Sequence, residues 1–290
     1  MTSDFLIISD NMSDLPRDYC REHDLILMSL SYMIDGKSYS DEDPLPDKEF
    51  YALMRGGSMP TTSQVNQQQA RECMLSCLER CSNLLCIAFS SGLSGTYQSM
   101  HQAAAEIMKE RPDCRIEVID SLAASLGEGL LVHKAVMLRE QGCSMDEVAT
   151  YVLKNRLHIV HNFTVDNLFH LHRGGRVSRS AAILGTLVNI KPILHVDNEG
   201  HLIPTGKVRG RRRSITEMVD AMEKQIGSYR DKNDIVFISH GDCEEDAQYL
   251  SDLIKERLGI DRFLINYVGP TIGAHSGPGT LALFYLGEYR

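Results

Sequence analysis

Short continuous apolar runs alternate along the chain with stretches whose apolar residues recur three and four positions apart, the signatures of buried strands and of amphipathic helices. Phe5–Ser9 has strand length, and the cap-rich turn Asp10-Asn11-Met12-Ser13-Asp14-Leu15-Pro16 leads into a short helix around Arg17–His23. Leu25–Tyr32 predicts a strand, and Asp35-Gly36 a hairpin turn into Lys37–Ser40. A helix is expected to end at Met54, then a loop over Arg55–Ser63 and a helix over Val65–Cys81. The run Leu84–Phe89 breaks into Ser90-Ser91-Gly92-Leu93-Ser94-Gly95-Thr96 and restarts as a helix to Glu110. Arg115–Asp120 is the next strand, and a long helix from Ser125 to Glu140 stops at Gly142.

The texture changes after about Thr150. Ser144 can cap a helix to Arg156, followed by a strand at His158–Val165, a polar loop and a small-residue helix over Ser178–Asn189. Lys191–Val196 and His201–Val208 flank Asp197-Asn198-Glu199-Gly200, a hairpin signal. Helix Ser214–Tyr229, strand Asp234–Ser239, helix Glu244–Leu258 and strands Arg262–Val268 and Leu281–Leu286 complete the pattern. The alternation predicts an α/β fold of two domains, 1–150 and 151–290. The first should hold a mostly parallel sheet covered on both faces, with ligands at its carboxyl strand ends. The hairpin makes the second sheet mixed or antiparallel.

With 290 residues and 43% hydrophobic composition the chain can bury a large core. A formal net charge of −9 and a pI near 5.7 argue against a nucleic-acid binder. No apolar run reaches membrane-spanning length and no charged-then-apolar leader opens the sequence, so a cytoplasmic protein is expected. The eight cysteines form no CxxC pair and no metal cassette. Cys73, Cys77 and Cys81 share a helical stripe, which reads as small core residues more readily than as a metal bridge. Neither a metal nor a cofactor is expected.

The chemistry concentrates in four loops: Met59–Gln64, Ser90–Thr96, Leu171–Ser178 and Gly269–Gly279. A helix start exposes unpaired N–H groups and partial positive charge, so the loop before the helix to Glu110 suits an anion, with Ser94 and Thr96 adding hydroxyls. It lacks the Lys of a phosphate loop and the third Gly of a dinucleotide fingerprint, which points to a small anionic head group. Each loop alone has a plainer reading. Thr61 or Ser63 can simply cap the following helix, Gly174-Gly175 can simply turn the chain, and His275 can be a structural histidine between strands.

Five elements in order, Ser9–Leu15, Thr61–Gln64, Ser90–Thr96, Arg173-Gly174-Gly175-Arg176 and Gly269-Pro270 through His275-Ser276-Gly277-Pro278-Gly279, resemble the DegV family of bacterial fatty-acid-binding proteins across residues 3–288. The resemblance implies two α/β domains, the first Rossmann-like, with a long-chain fatty acid between them. It implies that Thr62 and Ser94 hold the carboxylate, and that His275 and Arg173 stand near the head group or its portal. Thr61, Gly95 and Thr96 adjoin these positions. It also implies a non-catalytic carrier that presents its lipid to a separate fatty acid kinase subunit, with no nucleic-acid partner and no integral membrane segment.

The chemistry of the residues agrees with this. A buried carboxylate is costly unless hydroxyls, helix N–H groups and a nearby cation bond it, and an acyl chain of about 16 carbons gains about 0.8 kcal/mol per buried CH₂. Phe163, Phe169, Ile183, Leu184, Leu187 and Ile193 are candidates to line the tail, although each also reads as ordinary core. The run Lys207–Arg213 is the densest basic patch, either a solvated strand end or a docking point for an acidic partner. A competing class is a serine hydrolase with Ser94 as nucleophile, His275 as base and Asp120 as orienter. Gly92-Leu93-Ser94-Gly95-Thr96 lacks the last Gly of a nucleophile elbow, which counts against it.

Overall fold

The computed structural model describes residues 4–178 and 189–290. Its first sheet joins β1 (Leu6–Asp10), β2 (Leu25–Met28), β6 (Asn83–Ala88) and β7 (Arg115–Asp120) in the order β2-β1-β6-β7, with every pairing parallel. Alternation along β6 sends Leu84 and Cys86 toward α3 (Gln67–Leu78) and α4 (Thr96–Glu110), and Leu85 and Ile87 toward α5 (Leu126–Glu140) and α6 (Met145–Asn155). Helices therefore cover both faces.

The second sheet has six strands: β8 (Ile159–Thr164), β9 (Ile190–Val196), β10 (Leu202–Arg209), β11 (Val236–His240), β12 (Phe263–Tyr267) and β13 (Leu281–Leu286). Their order is β10-β9-β8-β13-β11-β12, antiparallel throughout except for the parallel pair β11/β12. One face packs on α8 (Arg211–Gln225) and α9 (Glu244–Leu258) through Met218, Met222, Leu250 and Ile254. The other face, with Phe163, Phe237 and Phe284, joins the same core as α5 and the first sheet. Helix α5 is buried nearly all round and so lies between the two sheets.

Several elements depart from the sequence expectation. Leu25–Tyr32 is not one strand. The Asn11 amide donates to the Leu30 carbonyl and its oxygen accepts the Leu30 N–H, so a side chain replaces the strand partner there and ends β2 at Met28. The chain then enters a small sheet of β3 (Tyr32–Ile34), β4 (Lys37–Tyr39) and β5 (Thr61–Thr62). Its turn, Asp35-Gly36, has both φ angles positive, as that kind of hairpin requires. The Gly-rich segment after β12 contains a helix, α10 (Pro270–Ser276), with Pro270 at its first position. A short helix, α7 (Phe169–Arg173), stands in the loop after β8. Of the helix expected over Ser178–Asn189, residues 179–188 lie outside the described residues, and with them Ile183, Leu184 and Leu187.

Candidate functional site

The ends of β1, β2, β6 and β7 all open toward the same place, where Met12, Leu30, Phe89 and Ala124 face the second sheet across a cavity of about 600 Å³. Open parallel sheets bind ligands at these carboxyl ends. The facing wall is mostly apolar and comes from alternate residues of the second sheet, among them Phe163, Val196, Ala282 and Phe284, with His161 and Ser239 as its polar members. All four chemistry-bearing loops reach the cavity.

Thr62 is brought there by β5, which pairs with β3 in the register Tyr32↔Thr62 and Met33↔Thr61. Neither Thr61 nor Ser63 caps α3. Asn66 does so through a capping box with Gln69, which leaves Thr61, Thr62 and Ser63 to line the cavity. Ser94 lines it from just before α4, where its Oγ accepts the Thr96 N–H at 3.2 Å and lies 3.0 Å from Thr96 Oγ1. Thr96 itself is fully buried behind Ser94 and bonds the Val65 N–H, so it supports the wall without being part of it. Gly95 lets the Gln64 amide pack close, since a Cβ there would stand 2.4 Å from Gln64 Oε1 and that side chain would have to move.

His275 lies on α10 with Nε2 2.8 Å from Thr62 Oγ1. Burial, and after it the nearby Arg176 and Arg173 charges, push its pKa down to about 4, so the ring is neutral near pH 7. The guanidinium of Arg173 donates to the Pro60 and Ala274 carbonyls and ties the Thr62 loop to α10. Arg176 donates twice to the Leu93 carbonyl, at 3.2 and 2.9 Å, and ties the Ser94 loop to the loop after α7. Two cations thus stand at the polar end while their N–H groups hold its loops together. Ser276 also lines the cavity, and its buried Oγ has no hydrogen-bond partner among the described residues.

The structure therefore brings Thr61, Thr62, Ser94, Gly95, Arg173 and His275 into one cavity, with Phe163 on its apolar wall. Two expected tail residues fall elsewhere. Phe169 opens α7 and is 52% exposed, outside the lining. Ile193 points away because the buried residues of β9 are Pro192, Leu194 and Val196, which puts the odd positions on the opposite face. Sequence reasoning passed over Arg176, Ala282 and Phe284. The last two stand two apart on one strand face, a signal available in the Leu281–Leu286 run.

Ser94, His275 and Asp120 do not assemble into a relay. His275 Nε2 meets Thr62, Ser94 Oγ is engaged by Thr96, and Asp120 accepts the Ser91 and Leu122 N–H groups. The basic run also differs from expectation, because Arg211–Arg213 form the first turn of α8. Arg211 pairs with Asp246, Arg213 with Glu217, and Arg212 stacks on the Tyr249 ring. Among the described residues no helix is long and apolar enough to cross a membrane, and no cluster of potential metal ligands is found.

The family model described as "Uncharacterised protein, DegV family" matches residues 4–288. A DegV domain-containing protein of Clostridium perfringens is 40% identical, with 99% of this chain and 98% of that protein aligned. A DegV family protein from Thermus thermophilus, whose solved structure is described as showing fatty acid binding, is 29% identical with a TM-score of 0.87 over 98% of this chain and 99% of that one. DegV of Bacillus subtilis, described as a fatty acid binding protein, is 25% identical with a TM-score of 0.84 over 99% of this chain and 100% of that one. This chain belongs to the DegV family.

Proposed function

We propose that the chain binds one long-chain fatty acid, with the carboxylate held by Thr62 and Ser94 and the acyl chain in the cavity between the two sheets. The observation that carries this reading is the asymmetry of the cavity. Hydroxyls, a neutral imidazole and two arginines gather at one end, and Phe89, Phe163, Val196 and Phe284 dominate the rest. Buried carboxylates need several charge-assisted bonds, whereas the tail supplies most of the affinity through apolar burial. The fatty-acid-binding descriptions of the solved relatives support the same ligand class.

In this reading the protein is a cytoplasmic, non-catalytic carrier of two α/β domains, 1–150 and 151–290. It presents its lipid to a fatty acid kinase subunit. Thr61 and Gly95 shape the head-group pocket, and the exposed basic side chains Lys207, Arg209 and Arg212 serve as the docking point. Reversing those three charges should lower kinase-dependent phosphorylation of bound fatty acid; unchanged phosphorylation removes the docking role.

The ligand itself is tested by mass spectrometry of an organic extract of the purified protein, followed by titration of the delipidated protein with palmitate, stearate and oleate. A fatty acid near one per chain and saturable rebinding are expected. An empty extract together with no binding of any of the three acids overturns the reading.

A further inference from the structure

We propose that the hydroxyl pair Ser125–Ser239 is a second polar subsite of the same cavity and selects a fatty acid carrying a hydroxyl group on its chain. This deepens the fatty-acid reading above and rests on it.

Both serines line the cavity, Ser125 at the start of α5 and Ser239 on β11 in register with Ala282, and Asp14, which bonds Ser125, meets Gly269 at the opposite end of α10 from His275. They are 5% and 0% exposed, with their Oγ atoms 2.9 Å apart. Ser125 is held at φ 54 and ψ −145, a conformation costly for any residue with a Cβ. Asp14, also buried, bonds the Ser125 hydroxyl at 2.5 Å and accepts the Gly269 N–H at 3.0 Å. The other polar groups on this part of the wall satisfy themselves. The two ring nitrogens of His161 meet the Ala124 N–H and the Ile159 carbonyl, and the Thr280 hydroxyl donates to the Gly277 carbonyl.

The serine pair does not satisfy itself. With Asp14 ionised, Ser125 donates to Asp14 and Ser239 donates to Ser125, which leaves the lone pairs of Ser239 facing the cavity. With Asp14 protonated, the chain of hydroxyl protons runs the other way and leaves the Ser239 O–H free. A hydroxyl on the ligand meets either state, because it both donates and accepts. A keto or ether oxygen meets only the second. A second carboxylate is disfavoured, since a buried charge needs several charge-assisted bonds and, among the described residues, no cation bonds this serine pair. With the carboxylate fixed at Thr62 and Ser94, the subsite meets one region of the acyl chain, so the preference is for one hydroxyl position.

The test is calorimetric titration of delipidated protein with stearate and with hydroxystearates whose hydroxyl is moved stepwise along the chain. One positional isomer should bind at least tenfold more tightly than the isomers on either side of it, about 1.4 kcal/mol. In Ser239→Ala the ratio of that isomer to its neighbours should fall to near one; Ser239→Cys, closer in size, serves if the alanine variant does not fold. No preferred position, or a preference that survives at Ser239, overturns the proposal. If stearate also fails to bind, it is the fatty-acid reading that falls.

Discussion

Thr62 and His275 are 213 residues apart in the chain, and their side chains meet at 2.8 Å. The contact joins a two-residue strand of the small sheet to a helix that links β12 and β13 of the second sheet, so it forms only when the tertiary structure closes. The two side chains should therefore be energetically coupled. In a cycle of Thr62→Val, His275→Ala and the double variant, fatty-acid affinities should be non-additive by about 0.5–3 kcal/mol. Strict additivity by calorimetry means that the pair does not act together on the ligand.

Gly174 gives this histidine its room. A Cβ at Gly174 would stand 2.1 Å from His275 Nδ1, while the backbone there, at φ −75, accepts any residue. Gly174→Ala is therefore a steric test without a backbone penalty. It should displace the ring and weaken palmitate binding by about 1–3 kcal/mol, the usual range for overpacking, with a much smaller effect on cooperative unfolding. Unchanged palmitate affinity would show that the ring position is immaterial.

Arg176 grips the Leu93 carbonyl with two N–H groups, a geometry that lysine cannot reproduce. Arg176→Lys keeps the charge and loses the fork. Amide exchange at Leu93 and Ser94 should speed up, and ligand affinity should fall by about 1–2 kcal/mol. If both stay at wild-type values, the charge alone matters.

These relationships mark where the sequence stops being informative. Strands β1, β6, β7 and β13 follow from apolar runs of the right length, because burial on a sheet is written locally in the side chains. The end of β2 is not local, since it depends on the Asn11 amide bonding Leu30, 19 residues further along the chain. Helix α10 is hidden by its Gly and Pro density, and β5 exists only through its pairing with β3. Ile193 is apolar like its neighbours, but the pairing of β9 with β8 decides which face it takes. Arg173 and Arg176 look alike in the motif, and only the folded chain shows that one clamps the Thr62 loop and the other the Ser94 loop.

Asp14 makes stability depend on pH. Burial raises its pKa from 3.8 to about 8, against the bonds from Ser125 and Gly269, and buried Asp10 shifts the same way to about 7. Across that window the folded chain keeps protons that the unfolded chain has released. Stability from these groups is complete below about pH 4 and declines as pH rises toward 8. In Asp14→Asn the decline, followed by urea unfolding at stepped pH, should be shallower by up to one proton. An identical slope would show that Asp14 is ionised throughout.

Helix α5 keeps little solvent side of its own, because the first sheet covers one flank and the second sheet the other. Cutting the gene between the two halves would strip this helix on one side and leave a fragment with a raw, greasy seam. Neither piece is then a self-sufficient building block, and recombination among relatives should exchange the chain whole.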